Sequence, residues 1–255
     1  MHEPDTGTQA RREAWSAALL LSGQTDLRAS LLAELAEYLH EPVPSVEARC
    51  RSAASDLAQA WRTNTPSTAA EIAQFYEQAD AYLYDLTWWH ALGADETALV
   101  QMEAVETALA NHAKTSLEFG CGIGSLSLVM AQHGLQVTLA DVNPRLLDYA
   151  RWRFDRRGLS ARFLDLRLSS LPPTVFDSVI AIDVLEHLAD PGAALKSLAR
   201  TLRAKGILFV HFPPGPLPLY PMHLWDSPDV LLEHLSDAEL SVERAAGSIL
   251  VMRRG

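Results

Sequence analysis

Glu118, Gly120, Gly122 and Gly124 fall in the run LEFGCGIG, where a short apolar stretch gives way to a helical pattern. Glycines at such a junction let the backbone turn tightly and let a ligand approach with no Cβ in the way, and the start of the helix offers free N–H groups. Asp141 closes the segment QVTLAD, and in nucleotide-binding folds an acid about 20 positions after the glycines accepts hydrogen bonds from ribose hydroxyls. The glycine run by itself would fit a plain tight turn; the acid in register with it points to a ligand. A second constellation is Asp183-Val184-Leu185-Glu186-His187, with His211 and His223 downstream. A histidine near neutral pKa can take the proton of an attacking hydroxyl, which makes His187 and His223 candidate general bases. Each also fits a satisfied structural histidine. Cys121, inside the turn but without an evident basic partner, reads as a small buried residue and not as a nucleophile.

These residues need a frame. From Thr115 onward, TSLEF, QVTLAD, ARFLDL, FDSVIAID and GILFVHF read as strands, separated by helical stretches over 125–133, 145–157 and 191–202. Strict alternation implies right-handed crossovers and a parallel sheet covered on both faces, a doubly wound α/β domain whose ligands bind at the carboxyl ends of its strands. A proline-rich loop, HFPPGPLPLYP, and a helix near 228–235 follow, and ELSVERAAG and SILVMRR look like a terminal antiparallel pair. From Arg11 to about Leu109 the chain is rich in Ala, Leu, Glu and Gln with apolar residues at helical spacing, broken at EPVPSVE and at TNTPST. The expected organisation is a helical cap over 1–110 and a ligand-binding domain over 111–255.

At this point the residues resemble class I S-adenosylmethionine-dependent methyltransferases, whose first motif sets an acid before alternating glycines, as Glu118 precedes Gly120, Gly122 and Gly124 here. VTLADVNPRLL resembles the second motif, which implies that Asp141 holds the ribose and Val142 packs on adenine. FLDLRLSSLPP resembles the third, with Asp165 or the Leu166 backbone meeting the adenine amino group; Asp165 would otherwise cap a turn. The stretch from Phe176 to Pro213 resembles the fourth and fifth blocks, in which the loop after strand four, with Asp183, borders the methionine part of the cofactor. The implied fold is a seven-stranded, mostly parallel, Rossmann-like sheet with an N-terminal helical cap, and the implied cofactor is S-adenosylmethionine. DVLEH also resembles the ExxEH segment of metal-dependent O-methyltransferases, which would make Asp183, Glu186, His187 and His223 a ligand set for a divalent ion. Similar segments occur in methyltransferases that use no metal, and the expectation is set without one. Helices before the first strand often form a lid in this family, so Tyr76, Tyr84 and Trp88 of FYEQADAYLYDLTWWH are the expected border of the acceptor pocket, with Phe75 and Trp89 as core.

Composition narrows the acceptor. The 255 residues carry a formal charge of −11, which disfavours nucleic acid, because affinity for phosphates comes from lysine and arginine. Arg145, Arg151, Arg153, Arg156 and Arg157 cluster on one expected helix, read as a solvated face. Apolar runs are too short to cross a bilayer, the N-terminus lacks a basic segment followed by an apolar one, and two cysteines cannot build a disulfide framework. A cytoplasmic enzyme without membrane or nucleic-acid partners, methylating oxygen or nitrogen of a small metabolite or short peptide, is the expectation. The alternatives are a nicotinamide-dependent oxidoreductase and a noncatalytic methyltransferase-like scaffold. The motifs fix neither the acceptor nor an oligomeric state.

Overall fold

The computed structural model describes residues 6–92, 96–213, 215 and 217–255. Six helices come first: α1 (Thr6–Leu19), α2 (Leu27–Leu39), α3 (Val43–Asn64), α4 (Ala69–Gln78), α5 (Tyr82–Ala91) and α6 (Glu96–Ala110). Their ends follow local chemistry. Asp26 caps α2 by accepting from the Ala29 N–H at 2.7 Å. The prolines of EPVPSVE separate α2 from α3 and occupy the start of α3, where a missing N–H costs nothing. At TNTPST, Thr68 and Glu71 form a reciprocal capping box that opens α4.

Then β1 (Thr115–Phe119), α7 (Ser125–Gln132), β2 (Gln136–Asp141), α8 (Pro144–Arg156), β3 (Arg162–Asp165), β4 (Phe176–Ile182), α9 (Pro191–Thr201), β5 (Leu202–His211), β6 (Leu240–Ala246) and β7 (Ile249–Arg254) build the second part. The sheet order is β3-β2-β1-β4-β5-β7-β6. The first five strands run parallel; β7 is antiparallel to both β5 and β6. The expected terminal pair therefore exists, with β7 inserted beside β5 and β6 left at the edge. Pro228–His234 forms 3₁₀ turns where a helix was expected. Pro214 and Pro216 of the expected proline-rich loop lie outside the described residues.

The core has three parts. Leu126, Val129, Leu139 and Phe154 pack on one sheet face together with Trp15 and Leu19 of α1 and Val105 of α6. On the other face Val179, Leu195, Leu198, Leu208 and Val210 pack beneath α9. The third part joins Leu35, Leu57, Phe75 and Leu83 to Ile123 of the glycine turn and to Leu146 and Tyr149 of α8. The helical region thus divides: α1 and α6 complete the sheet's core, whereas α2 to α5 lie over the turn that follows β1. Among the described residues no helix is long and apolar enough to cross a membrane.

Arg145, Arg153 and Arg157 depart from the solvated-face expectation, whereas Arg151 and Arg156 stay exposed. Arg153 is fully buried and bonds Glu34 of α2 at 3.0 Å, Arg157 also pairs with Glu34, Arg156 pairs with Glu37 at 2.7 Å, and Arg145 pairs with Asp80. Arg151 lies over the Phe163 ring. The basic face of α8 is the seam between the two parts of the chain.

Candidate functional site

A cavity of about 400 Å³ opens at the carboxyl ends of β1, β2 and β4, under α4 and α5. Crossover topology puts strand ends and helix starts at this edge, and Gly120, Gly122 and Asp141 all line the space. Gly120 and Gly122 have φ of +71° and +51°, backbone that favours glycine. A Cβ on Gly120 would overlap Val184, and one on Gly122 would come within 2.5 Å of Leu86 Cδ1. Gly124 does not line the cavity; a Cβ there would lie 2.8 Å from Leu139 and 3.0 Å from Ala150, so its role is close packing of the turn on β2 and α8. Gly122→Ala is therefore expected to lower stability and cofactor affinity together, and Leu86→Ala in the same chain is expected to restore part of both. Thermal melts and titration with S-adenosylhomocysteine check this; no recovery in the pair would mean that the positive φ, not Leu86, sets the cost.

Asp141 is buried. Its Oδ2 accepts the Gly122 N–H at 2.8 Å and its Oδ1 the Asn143 N–H at 2.9 Å. Burial pushes its pKa up, opposed by the backbone donors of Asn143, Gly122 and Val142. Val142 and Leu166 line the cavity as flat apolar walls. The Leu166 N–H is already spent on the Asp141 carbonyl at 3.0 Å. Asp165 departs from expectation: its carboxylate is clasped by Arg167 through bonds of 3.0 and 2.6 Å, and it is absent from the lining. Ending β3 turns the Asp165 side chain toward the following turn, where Arg167 meets it.

Glu118 lines the cavity and accepts from Ser127 through both N–H (3.0 Å) and hydroxyl (2.5 Å). Burial, only partly offset by those bonds, raises its pKa from 4.5 to about 8. A carboxyl that keeps its proton longer in the folded chain contributes stability that is complete below 4.5 and lost as pH climbs through about 8. Glu118→Gln is expected to flatten this fall in denaturation midpoints measured from about pH 5 to about pH 9. An unchanged slope would locate the titration elsewhere.

Past β4, Asp183 lies in the cavity wall with φ of +52° and accepts from His211 Nδ1 at 2.6 Å. His187 and His223 also line the cavity, their rings 4.6 Å apart and edge to face. His187 Nδ1 is 2.7 Å from the Tyr76 hydroxyl, and the Tyr76 carbonyl accepts from Asn143 Nδ2 at 3.0 Å, so α4 is pinned to both sides of the cavity. Burial, then His223, lowers the His187 pKa to about 3, and burial lowers that of His223. Both shifts favour the neutral ring. Glu186 lies beside them with both carboxylate oxygens buried and without hydrogen-bond partners; burial, with Asp183 adding, raises its pKa well above the ordinary value. One donor atom each from Glu186, His187 and His223 falls within 4.8 Å of the others. An orphaned carboxylate with two neutral imidazoles is a fitting oxygen and nitrogen donor set for a divalent ion. Asp183, the fourth expected ligand, is engaged by His211 instead.

The lid residues are corrected. Tyr76 lines the cavity, but Tyr84 and Trp88 do not. The break at 79–81 rotates α5 relative to α4, so Tyr82, Asp85, Leu86 and Trp89, at helical spacing, face inward. Tyr84 packs under Arg49, and Trp88 lies between Arg28 and Arg51 on the opposite face. Trp89, expected as core, is 36% exposed and lines the cavity. Sequence reasoning also passed over Asp85, His90 and Gln101, which line the same space. Helical spacing from Tyr82 could have found Asp85 and Trp89.

Residues 117–210 match the model of the methyltransferase domain family, within the seven-stranded, mostly parallel sheet described above. Among its relatives is a ubiquinone biosynthesis O-methyltransferase of Xanthomonas euvesicatoria pv. vesicatoria (strain 85-10), 36% identical over 133 residues, or 48% of this chain and 54% of that protein. Another, from Coxiella burnetii (strain Dugway 5J108-111), is 28% identical over 145 residues, 54% of this chain and 59% of its own length. The chain spans about half the length of the curated relatives it matches. Similar folds include the [4+2]-cyclase SpnF, with a TM-score of 0.59 at 18% identity over 73% of this chain and 96% of that one. Magnesium protoporphyrin IX methyltransferase of Synechocystis PCC 6803 with bound S-adenosylmethionine gives 0.51 at 22% identity over 64% and 83%. These two likenesses concern the fold.

Proposed function

We propose that this chain transfers a methyl group from S-adenosylmethionine to an oxygen of a small molecule. The observation that carries it is the sharing of one cavity by the glycine turn, Asp141 and the His187/His223 pair. The names of the relatives, O-methyltransferases, support oxygen as the acceptor atom. When bound, S-adenosylmethionine supplies a methyl already activated on a sulfonium, so the chain's task is to hold the acceptor in line and exclude water.

Asp141 accepts the ribose hydroxyls, and Val142 and Leu166 flank the base. Leu86, Leu146 and Ile182 make the cavity largely apolar, which keeps water from competing for the methyl. Attack by a hydroxyl releases a proton, and where no metal is bound Nε2 of His187 or a ring nitrogen of His223 receives it. The Tyr76 hydroxyl fixes the His187 ring through Nδ1 and leaves Nε2 for that purpose. The metal set aside on sequence grounds returns because both Glu186 carboxylate oxygens are buried without a hydrogen bond, His187 Nε2 standing 3.8 Å from Oε1. Glu186, His187 and His223 would hold a divalent ion, which would favour the deprotonated form of an acceptor hydroxyl.

The test is calorimetric titration with S-adenosylmethionine, S-adenosylhomocysteine and NADH, followed by transfer of labelled methyl to a panel of phenols with and without EDTA. Binding of the adenosyl ligands and not NADH is expected, and turnover is expected to fall in EDTA and return with magnesium or manganese. His223→Ala is expected to lower kcat by about 10²-fold or more with affinity for S-adenosylhomocysteine kept. Binding of NADH alone would move the chain to oxidoreductase chemistry. Turnover untouched by EDTA would leave the proton to the histidines without a metal.

A further inference from the structure

Asp85 is 7% exposed and opens into the cavity. Its hydrogen-bond partner is the Tyr220 hydroxyl, which donates to Oδ1 at 3.3 Å across the gap between α5 and the loop after β5. Among the described residues no lysine or arginine lines the cavity, whereas Asp85, Asp183 and Asp190 do, beside Glu118 and Asp141. A carboxylate taken out of water without a cation is costly, and burial accordingly lifts the Asp85 pKa from 3.8 to about 6. Aromatic rings surround it. Trp89, Tyr82 and Tyr220 line the same cavity, Trp89 and Tyr220 meet edge to face at 6.4 Å, and Tyr220 stacks on His223 at 5.4 Å. Tyr220 thus links the carboxylate to His223, one of the histidines assigned to the acceptor's proton. A desolvated carboxylate among aromatic walls, in a cavity without basic side chains, is complementary to an organic cation and repels an organic anion.

We propose that the acceptor carries an ammonium group and that Asp85 is the residue that selects it, with Trp89, Tyr82 and Tyr220 forming the walls around the cation. This rests on the methyl-transfer reading and adds the charge class of the substrate. Neutral phenols enter by the apolar walls alone, and acceptors bearing a carboxylate are excluded.

Three catechols matched in size decide it: dopamine (ammonium), 4-ethylcatechol (neutral) and 3,4-dihydroxyphenylacetate (carboxylate). Any contact of the catechol with a metal is common to all three. Calorimetry on the S-adenosylhomocysteine complex is expected to show dopamine binding about tenfold or more tighter than 4-ethylcatechol, with the carboxylate weakest. Asp85→Asn is expected to erase that preference, raising KM for dopamine while leaving kcat and affinity for S-adenosylhomocysteine in place. Trp89→Leu, a change at a half-exposed position, is expected to weaken dopamine more than the neutral probe and guards against a misfolded Asp85 variant. Equal affinity of the unaltered protein for dopamine and 4-ethylcatechol would overturn the proposal. So would an equal loss of kcat on all three in Asp85→Asn, which would make Asp85 a base, or a loss of S-adenosylmethionine relative to S-adenosylhomocysteine affinity, which would aim it at the sulfonium. Failure of S-adenosylhomocysteine to bind would sink the methyl-transfer reading alone, because the dopamine preference is then read on the free protein.

Discussion

Asp141→Ala is expected to weaken S-adenosylhomocysteine binding by about 10²- to 10³-fold, since hydrogen bonds to a charged acceptor are worth about 1.5–3 kcal/mol each and a ribose offers two. Two losses combine in that number. One is the ligand's: the carboxylate that lines the cavity disappears. The other is the protein's: the N–H groups of Gly122 and Asn143, held at 2.8 and 2.9 Å, lose their acceptor, and the glycine turn keeps only its backbone bonds to Ala140 of β2. Asp141→Asn separates them. Its amide oxygen can accept one backbone N–H but its NH2 group faces the other, so stability is expected to fall less than in Asp141→Ala while affinity falls by about tenfold or more. Calorimetry with S-adenosylhomocysteine, run beside urea melts, reads both terms. Affinity within about twofold of the parent in both variants would mean that the ribose lies elsewhere.

Where chemistry depends on neighbours in sequence, the sequence was readable. Thr68 and Glu71 announce a helix start because their bonds are to each other's backbone. The glycines follow β1 and Asp141 ends β2, two adjacent parallel strands, so a fixed spacing brings them together wherever the rest of the chain goes. The arginines of α8 could not be read this way. Their partners Glu34 and Glu37 stand more than a hundred positions earlier, on a helix whose place over the sheet no local pattern encodes. A charged helical face looks alike whether it meets water or an opposing set of acids. The lid failed for a subtler reason: Tyr76, Tyr84 and Trp88 were expected on one border, and the turn at 79–81 between α4 and α5 changed which residues face inward. The orphaned Glu186 carboxylate is likewise a property of packing. Its sequence neighbour His187 comes to 3.8 Å without a hydrogen bond, and the arrival of His223 from the loop after β5 completes a donor set.

The seam on α8 carries the largest expected effect on stability. Glu34 and Arg153 are both 0% exposed, so water and salt do little to screen them, and Arg157 also bonds Glu34. Burial alone would raise the Glu34 pKa, but the two arginines more than offset this and hold it below the ordinary carboxylate value. Glu34→Ala leaves the Arg153 guanidinium in the interior with the Ile123 carbonyl at 2.8 Å and the Ser125 hydroxyl at 2.9 Å as its bonded partners. An uncompensated buried charge costs about 3–5 kcal/mol, and urea denaturation is expected to show a loss of that size. Glu37→Ala, which breaks a pair half open to solvent, is expected to cost less than about 1 kcal/mol. Because Ile123 belongs to the glycine turn, the buried pair also connects α2 to the cofactor cavity. Glu34→Ala with Arg153→Met should recover much of the stability, since apolar groups can replace a buried ion pair, yet it removes the bond to the Ile123 carbonyl. Stability restored with S-adenosylhomocysteine affinity still reduced is the expected outcome, and it would identify the seam as a brace for the turn. Affinity recovering in step with stability would show the pair to be structural alone, and a cost below about 1 kcal/mol for Glu34→Ala would mean the pair is not desolvated.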